Sequence, residues 1–106
     1  MQTGGVVGIV RRISNAYTVL PMDKVILIDI ASDYAVTLPA AASMRGRWIS
    51  FVALRQAAAF TATITCAGSD KIRTSSGDVA TRAFTVAGDH LQIFSDGAGW
   101  FIISAG

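Results

Sequence analysis

The chain has 106 residues, 52% of them apolar and 15% charged, with nine Lys and Arg against seven acidic residues. That length suits one domain with a modest core, and the charge content falls well below the ~25% of an average globular chain. The formal charge of +2 rests on no basic block, since Arg11-Arg12 is the only adjacent basic pair. Nucleic-acid binding calls for a dense basic face with stacking aromatics, so nucleic acid is not expected as a partner.

Residues 1–5 carry paired glycines and read as a flexible start. Residues 6–13 have strand composition, with Gly8 marking a kink or bulge. Ser14-Asn15 breaks the run, Tyr17-Thr18-Val19-Leu20 resumes it, and Pro21 ends it. Residues 24–30 are nearly continuously apolar, the pattern of a strand covered on both faces. After a turn at residues 31–34, Ala35-Val36-Thr37-Leu38 is extended, and Pro39 followed by three alanines gives the one helical leaning, stopped by Gly46.

Residues 47–54 form another strand, and residues 56–59 read equally as loop or helical turn. From Phe60 to Cys66, Thr alternates with Ala and Ile, as in a half-exposed strand. Residues 71–73 are at most a short strand, residues 74–78 a polar loop, and residues 81–86 a strand. The chain closes on two apolar runs, residues 90–95 and 100–104, joined by Asp96-Gly97-Ala98-Gly99, which reads as a β-hairpin. The expected fold is a small all-β, antiparallel sandwich or barrel-like domain of about eight to ten short strands. Residues 1–14 are its arm or first strand, and residues 15–106 the β module.

Every acid is Asp, and six of the seven sit by turns, where Asp bonds its own backbone; only Asp29 lies in a strand. Cys66 is the only cysteine and reads as a small buried thiol, which leaves no intrachain disulfide or Cys-based zinc site. His90 follows Gly88-Asp89 at a strand start and reads as a turn or packed-edge residue. No nucleophile elbow, paired carboxylate, phosphate loop or metal-ligand spacing accompanies them, so no catalytic, metal or cofactor residues are assigned and an enzyme is not expected. No signal peptide is recognised, and the apolar runs fall short of the ~20 residues of a membrane-spanning helix, so no membrane partner is expected.

Apolar residues in such excess are hard to hide in a small domain, which points to burial against other chains. Trp48, Trp100 and Ile102 are the candidates for a subunit interface, against the alternative that Trp48, Trp100 and Tyr34 form a sugar-binding platform. Val6, Val7, Ile9, Val10, Arg11 and Arg12 are the candidate partner-binding arm, because a free strand can add to the sheet edge of another protein.

Several stretches, in order, carry a family resemblance: Tyr-Thr-Val-Leu, Val-Ile-Leu-Ile-Asp, Ala-Val-Thr-Leu-Pro-Ala-Ala, Gly-Arg-Trp-Ile-Ser-Phe, Thr-Ile-Thr, Gly-Ser-Asp-Lys-Ile and Leu-Gln-Ile-Phe-Ser-Asp-Gly-Ala-Gly-Trp-Phe-Ile-Ile. They span residues 17–103, and in that order the chain resembles the small β module of tailed-bacteriophage virion proteins found in tail fibres, spikes and head-surface proteins. The resemblance implies a non-enzymatic, commonly trimeric building block. A module standing almost alone behind a short leader suits a capsid decoration or head-surface protein, docked on a phage capsid or tail protein. The alternative is a tail fibre or tail-tip module that binds a host surface glycan. Either way, the expected location is the virion, after synthesis in the host cytoplasm.

Overall fold

A computed structural model describes residues 9–106, so Val6, Val7 and Gly8 lie outside the described residues. Eleven strands follow in order: β1 (Ile9–Ile13), β2 (Tyr17–Thr18), β3 (Asp23–Ile30), β4 (Tyr34–Thr37), β5 (Trp48–Gln56), β6 (Ala62–Thr65), β7 (Ile72–Thr74), β8 (Gly77–Val79), β9 (Thr81–Phe84), β10 (His90–Ser95) and β11 (Trp100–Ala105). The helical leaning after Pro39 becomes a single 3-10 turn, Ala41–Ser43. The protein is nearly all β, as its sequence implies, but its sheets are mixed.

Seven strands form one sheet in the order β1-β3-β5-β10-β11-β7-β8, and four form another in the order β2-β4-β6-β9. The chain alternates between them from β1 to β6, laying β1, β3 and β5 parallel in the first sheet and β2, β4 and β6 parallel in the second. Each strand of one sheet thus serves as the crossover between parallel neighbours of the other, a task usually given to a helix. The antiparallel expectation holds at β5/β10, β6/β9, β7/β8 and β10/β11, all involving strands of the second half, where β7 and β11 nonetheless pair parallel. Its failure in the first half has a physical cause. A short turn of Gly, Asp and Ser will fold a strand back on itself or carry it to another layer, and nothing local distinguishes the two.

Alternation along each strand sends one set of side chains inward. Ile26, Ile28 and Ile30 of β3, Ile49, Phe51 and Ala53 of β5, Leu91 and Ile93 of β10 and Trp100 of β11 meet Val36, Ala62, Ile64 and Phe84 of the smaller sheet in one core. Cys66 is buried at its margin, where burial raises the thiol pKa.

The aspartates tie the strands and turns together. Asp96 accepts from the amides of Ala98 (2.9 Å) and Gly99 (3.0 Å) and shapes the loop of the closing hairpin, where Gly97 takes φ 94°. Asp89 does the same for Thr85 and Val86. Asp70 reaches the Ala41 amide at 2.8 Å, and the buried Ser95 hydroxyl donates to the Ala41 carbonyl at 2.6 Å. The 3-10 turn is fastened to the core from both sides.

Residues 57–59, ambiguous in sequence, form a turn in which Ala58 takes φ 50°, the left-handed region that penalises a Cβ. Ala58→Gly is therefore expected to raise the unfolding free energy by about 0.5–1 kcal/mol, the relief of strain exceeding the added entropy of the unfolded chain. A rise in the urea midpoint at unchanged slope is the signature to look for.

Candidate interaction surface

The side chains facing away from the core differ sharply between the two sheets. On the four-stranded sheet, Thr18, Thr37, Thr65 and Thr81 lie side by side across four neighbouring strands, with Ala35, Thr63 and Ala83 in the next row. Small and half polar, this face suits water. On the seven-stranded sheet the corresponding face carries large apolar side chains, with Ser50, Gln92 and His90 set among them on the two central strands.

Two regions make up that apolar face. The first is aliphatic: Val10 of β1 pairs with Val25 of β3, and Leu27 of β3 pairs with Val52 of β5, with Leu54 beyond. The second is an aromatic row crossing the centre of the sheet, where Trp48 of β5 pairs with Phe94 of β10 and Phe94 with Phe101 of β11. The Phe94 and Phe101 rings stack at 5.4 Å between centroids and 22° between planes. Cations close both ends of the row, with Lys24 Nζ lying 4.2 Å from the centroid of Trp48 and the Arg73 guanidinium 5.0 Å from that of Phe101. Val10, Trp48, Leu54 and Phe94 each keep more than a third of their surface exposed. No element of the described chain covers them.

The expectation that residues 24–30 are covered on both faces is accordingly corrected: β3 buries one face in the core and leaves Val25 and Leu27 only half-buried on the other.

Among the other predicted site residues, Trp48 lies on the outer face, as an interface residue must. Trp100 does not: it is fully buried in the core, with its indole Nε1 unpaired, and has no surface left for a partner or a sugar. That candidate is corrected. Ile102 is half-buried and packs on the core beside Ile93. Tyr34 belongs to the smaller sheet, its hydroxyl donating to the Asp29 carbonyl, so Trp48, Trp100 and Tyr34 do not come together as a platform.

Ile9, Val10, Arg11 and Arg12 belong to β1, bonded along one side to β3, so they form the outermost strand of the fold and not a free arm. Their arginines are tied down as well. Arg11 Nε donates to Asp23 at 3.0 Å. Arg12 grips Asp29 with Nε at 2.9 Å and Nη2 at 3.2 Å. Among the described residues, the opposite edge of β1 has no neighbour in the sheet, and β8 is the other such edge.

A cleft of about 380 Å³ lies where β1, β3 and β5 end, lined by Ser14, Asp29, Ile30, Ala31, Arg55, Gln56 and Ala57. A second, of about 300 Å³, lies beside Trp48 between Met22, Lys24, Met44 and Arg47. His90 is half-buried, its Nδ1 3.4 Å from the Gly88 carbonyl, and no carboxylate or hydroxyl orients the ring. Among the described residues, no three His, Cys, Asp or Glu side chains gather as metal ligands would, and no helix is long and apolar enough to cross a membrane.

Phe94, Phe101, Val25, Leu27, Val52 and Leu54 were not singled out from sequence as interface residues. A signal for them existed, because they occupy the alternate positions of strands whose other positions are already apolar. Compared with known proteins, the chain matches no family model and no curated protein significantly.

Proposed function

We propose that the protein is a non-enzymatic virion structural component, a homotrimeric capsid decoration or head-surface protein whose copies bury the outer face of the seven-stranded sheet against one another. One observation carries the reading: that face presents Val, Leu, Phe and Trp side chains, interrupted at its centre by Ser50 and Gln92, and no part of the described chain lies over it. In this reading the two sheets are the layers of a flattened sandwich, consistent with a 21 Å short axis and the ~10 Å spacing of stacked sheets.

The flat area of the face comes within about a quarter of that of a standard interface. Seven strands at their usual spacing span about 29 Å, and six residues run about 20 Å, giving about 600 Å² before side-chain relief. A standard interface takes about 800 Å² from each partner. The trimer and the phage setting come from the family resemblance, and the open edge of β1 offers a place for the particle to dock by strand addition.

The alternative, a glycan-binding tail module, is less well served by the same residues. A sugar stacks on the flat face of a ring. Here Phe94 and Phe101 face each other, and Arg73 and Lys24 lie over Phe101 and Trp48. Rings stacked on one another and covered by cations leave less free ring face for a sugar.

Light scattering of the purified chain should give three times the chain mass, and a monomer at micromolar concentration would overturn the reading. Counting copies on purified particles then separates the settings, since hundreds per particle mean the head and a handful mean the tail.

A further inference from the structure

We infer that the cleft at the carboxyl ends of β1, β3 and β5 is an oxyanion site that takes a single carboxylate or phosphate group. This goes beyond the proposed assembly role and stands whether or not the chain is a trimer.

The site is built around a shared carboxylate. Asp29 of β3 lies between two arginines from the neighbouring strands: Arg12 donates to it from Nε and Nη2, and Arg55 of β5 donates from Nε at 3.1 Å. The Asp29 side chain is 11% exposed, whereas Arg12 is 55% and Arg55 75% exposed. One carboxylate neutralises one guanidinium, so the group carries a net positive charge. Both Asp29 oxygens are already covered by N–H donors, Oδ1 by one from each arginine and Oδ2 by Arg12. The hydrogen bonds from Arg12, partly opposed by desolvation, hold Asp29 below the ordinary carboxylate range, so it stays charged and keeps its grip.

Arg55 is the residue that presents to a ligand. It uses only Nε on Asp29, and neither of its Nη nitrogens makes a hydrogen bond among the described residues. Those two nitrogens form the outer end of a planar fork that matches a carboxylate or phosphate edge. An exposed arginine ordinarily loses much rotamer freedom on capturing an anion, but here the bond to Asp29 has already restricted the side chain. Ser14, whose hydroxyl has no partner among the described residues, stands on the cleft wall as a second donor. Asp33, the nearest other carboxylate along the chain, is turned to the Thr61 amide at 2.8 Å and away from this role.

If the cluster only cross-linked three strands, it would show no preference for anions over the rest of a weakly basic surface. Inorganic phosphate and acetate, titrated separately at constant ionic strength, distinguish the cases by NMR. The expected result is saturable shifts at the Arg55 Nε–H and at the amides of Ser14, Ala31 and Ala57. Binding should weaken about tenfold, about 1.4 kcal/mol, in Arg55→Met, with the rest of the spectrum retained. Arg55→Lys, which keeps the charge and loses the fork, should fall in between. The stronger of the two ions assigns the ligand chemistry. Shifts that never saturate, that spread evenly over the basic residues, or that are unchanged in Arg55→Met would overturn the site.

Discussion

Asp23→Ala is expected to lower the unfolding free energy by about 2–4 kcal/mol, because it strands one buried donor set and a half-buried cation at once. The Asp23 side chain has no exposed surface. It accepts hydrogen bonds from Arg11 Nε at 3.0 Å, from the Leu20 amide at 2.9 Å and from the Tyr17 hydroxyl. These partners come from β1, from the loop before β3 and from β2, so one carboxylate fastens both sheets at the start of the fold. In a domain this small each kcal/mol moves Tm by about 4–8 °C. Thermal unfolding by circular dichroism is the direct measurement, and a change within a degree or two would show that the fastening is dispensable. Asp23→Asn keeps an acceptor for Leu20 but cannot pair with Arg11, and should lose less.

The same cluster fixes how stability depends on pH. Burial alone would raise the Asp23 pKa, but hydrogen bonds from Tyr17, Leu20 and Arg11 outweigh it and leave the pKa below the ordinary carboxylate range. Its contribution is therefore complete above the unfolded-chain value of about 3.9 and is lost as pH falls through the lower folded value. Tyr17 moves the opposite way, pushed up to about 12 first by burial and then by its bond to Asp23. Its neutral form stabilises the fold fully below about pH 10, and that contribution drains away between about 10 and 12. Denaturant midpoints across pH should form a plateau that falls at both ends; Tyr17→Phe should flatten the alkaline limb and, because it removes one of the hydrogen bonds that hold Asp23 down, make the acid limb shallower as well.

Local chemistry made much of this fold legible. Residues 90–95 and 100–104 read as a hairpin because Asp96 and Gly97 demand a tight loop, and β10 and β11 pair around it. The reading of Asp as a turn residue anticipates Asp89 and Asp96, each capping nearby backbone amides, whereas Asp33 accepts from the amide of Thr61, 28 residues away. Strand partners were not legible, because β3 and β5 are neighbours only by way of β4 in the other sheet. Nor was the difference between the two tryptophans. Trp48 and Trp100 both sit in apolar runs, and only the register of β5 and β11 sends one outward and the other into the core. Asp29 illustrates the same limit: the sequence marks it as the odd acid in a strand, but its two arginines arrive from residues 17 and 26 positions away.

Phe94→Lys is expected to turn the assembled protein into a monomer without unfolding it. Phe94 occupies the middle of the aromatic row, between Trp48 and Phe101, on the strand at the centre of the seven-stranded sheet. It is partly exposed in the single chain, so the lysine ammonium can reach water there, and the fold loses the ring stacking, about 0.5–1.5 kcal/mol, together with the part of the apolar area that the lysine stem does not replace. In an interface the same ammonium would be desolvated beside Lys24 and Arg73, cations that already close the row. An unpaired charge buried among like charges costs several kcal/mol, enough to shift a micromolar assembly to monomer. Val86→Lys is the control, since Val86 is an exposed apolar residue in the loop between β9 and β10 and no member of the aromatic row. Scattering mass should fall to that of one chain for Phe94→Lys alone, with both variants keeping a cooperative thermal transition. If Phe94→Lys stays assembled, the contact between copies lies elsewhere, and the outer face belongs to some other surface of the particle.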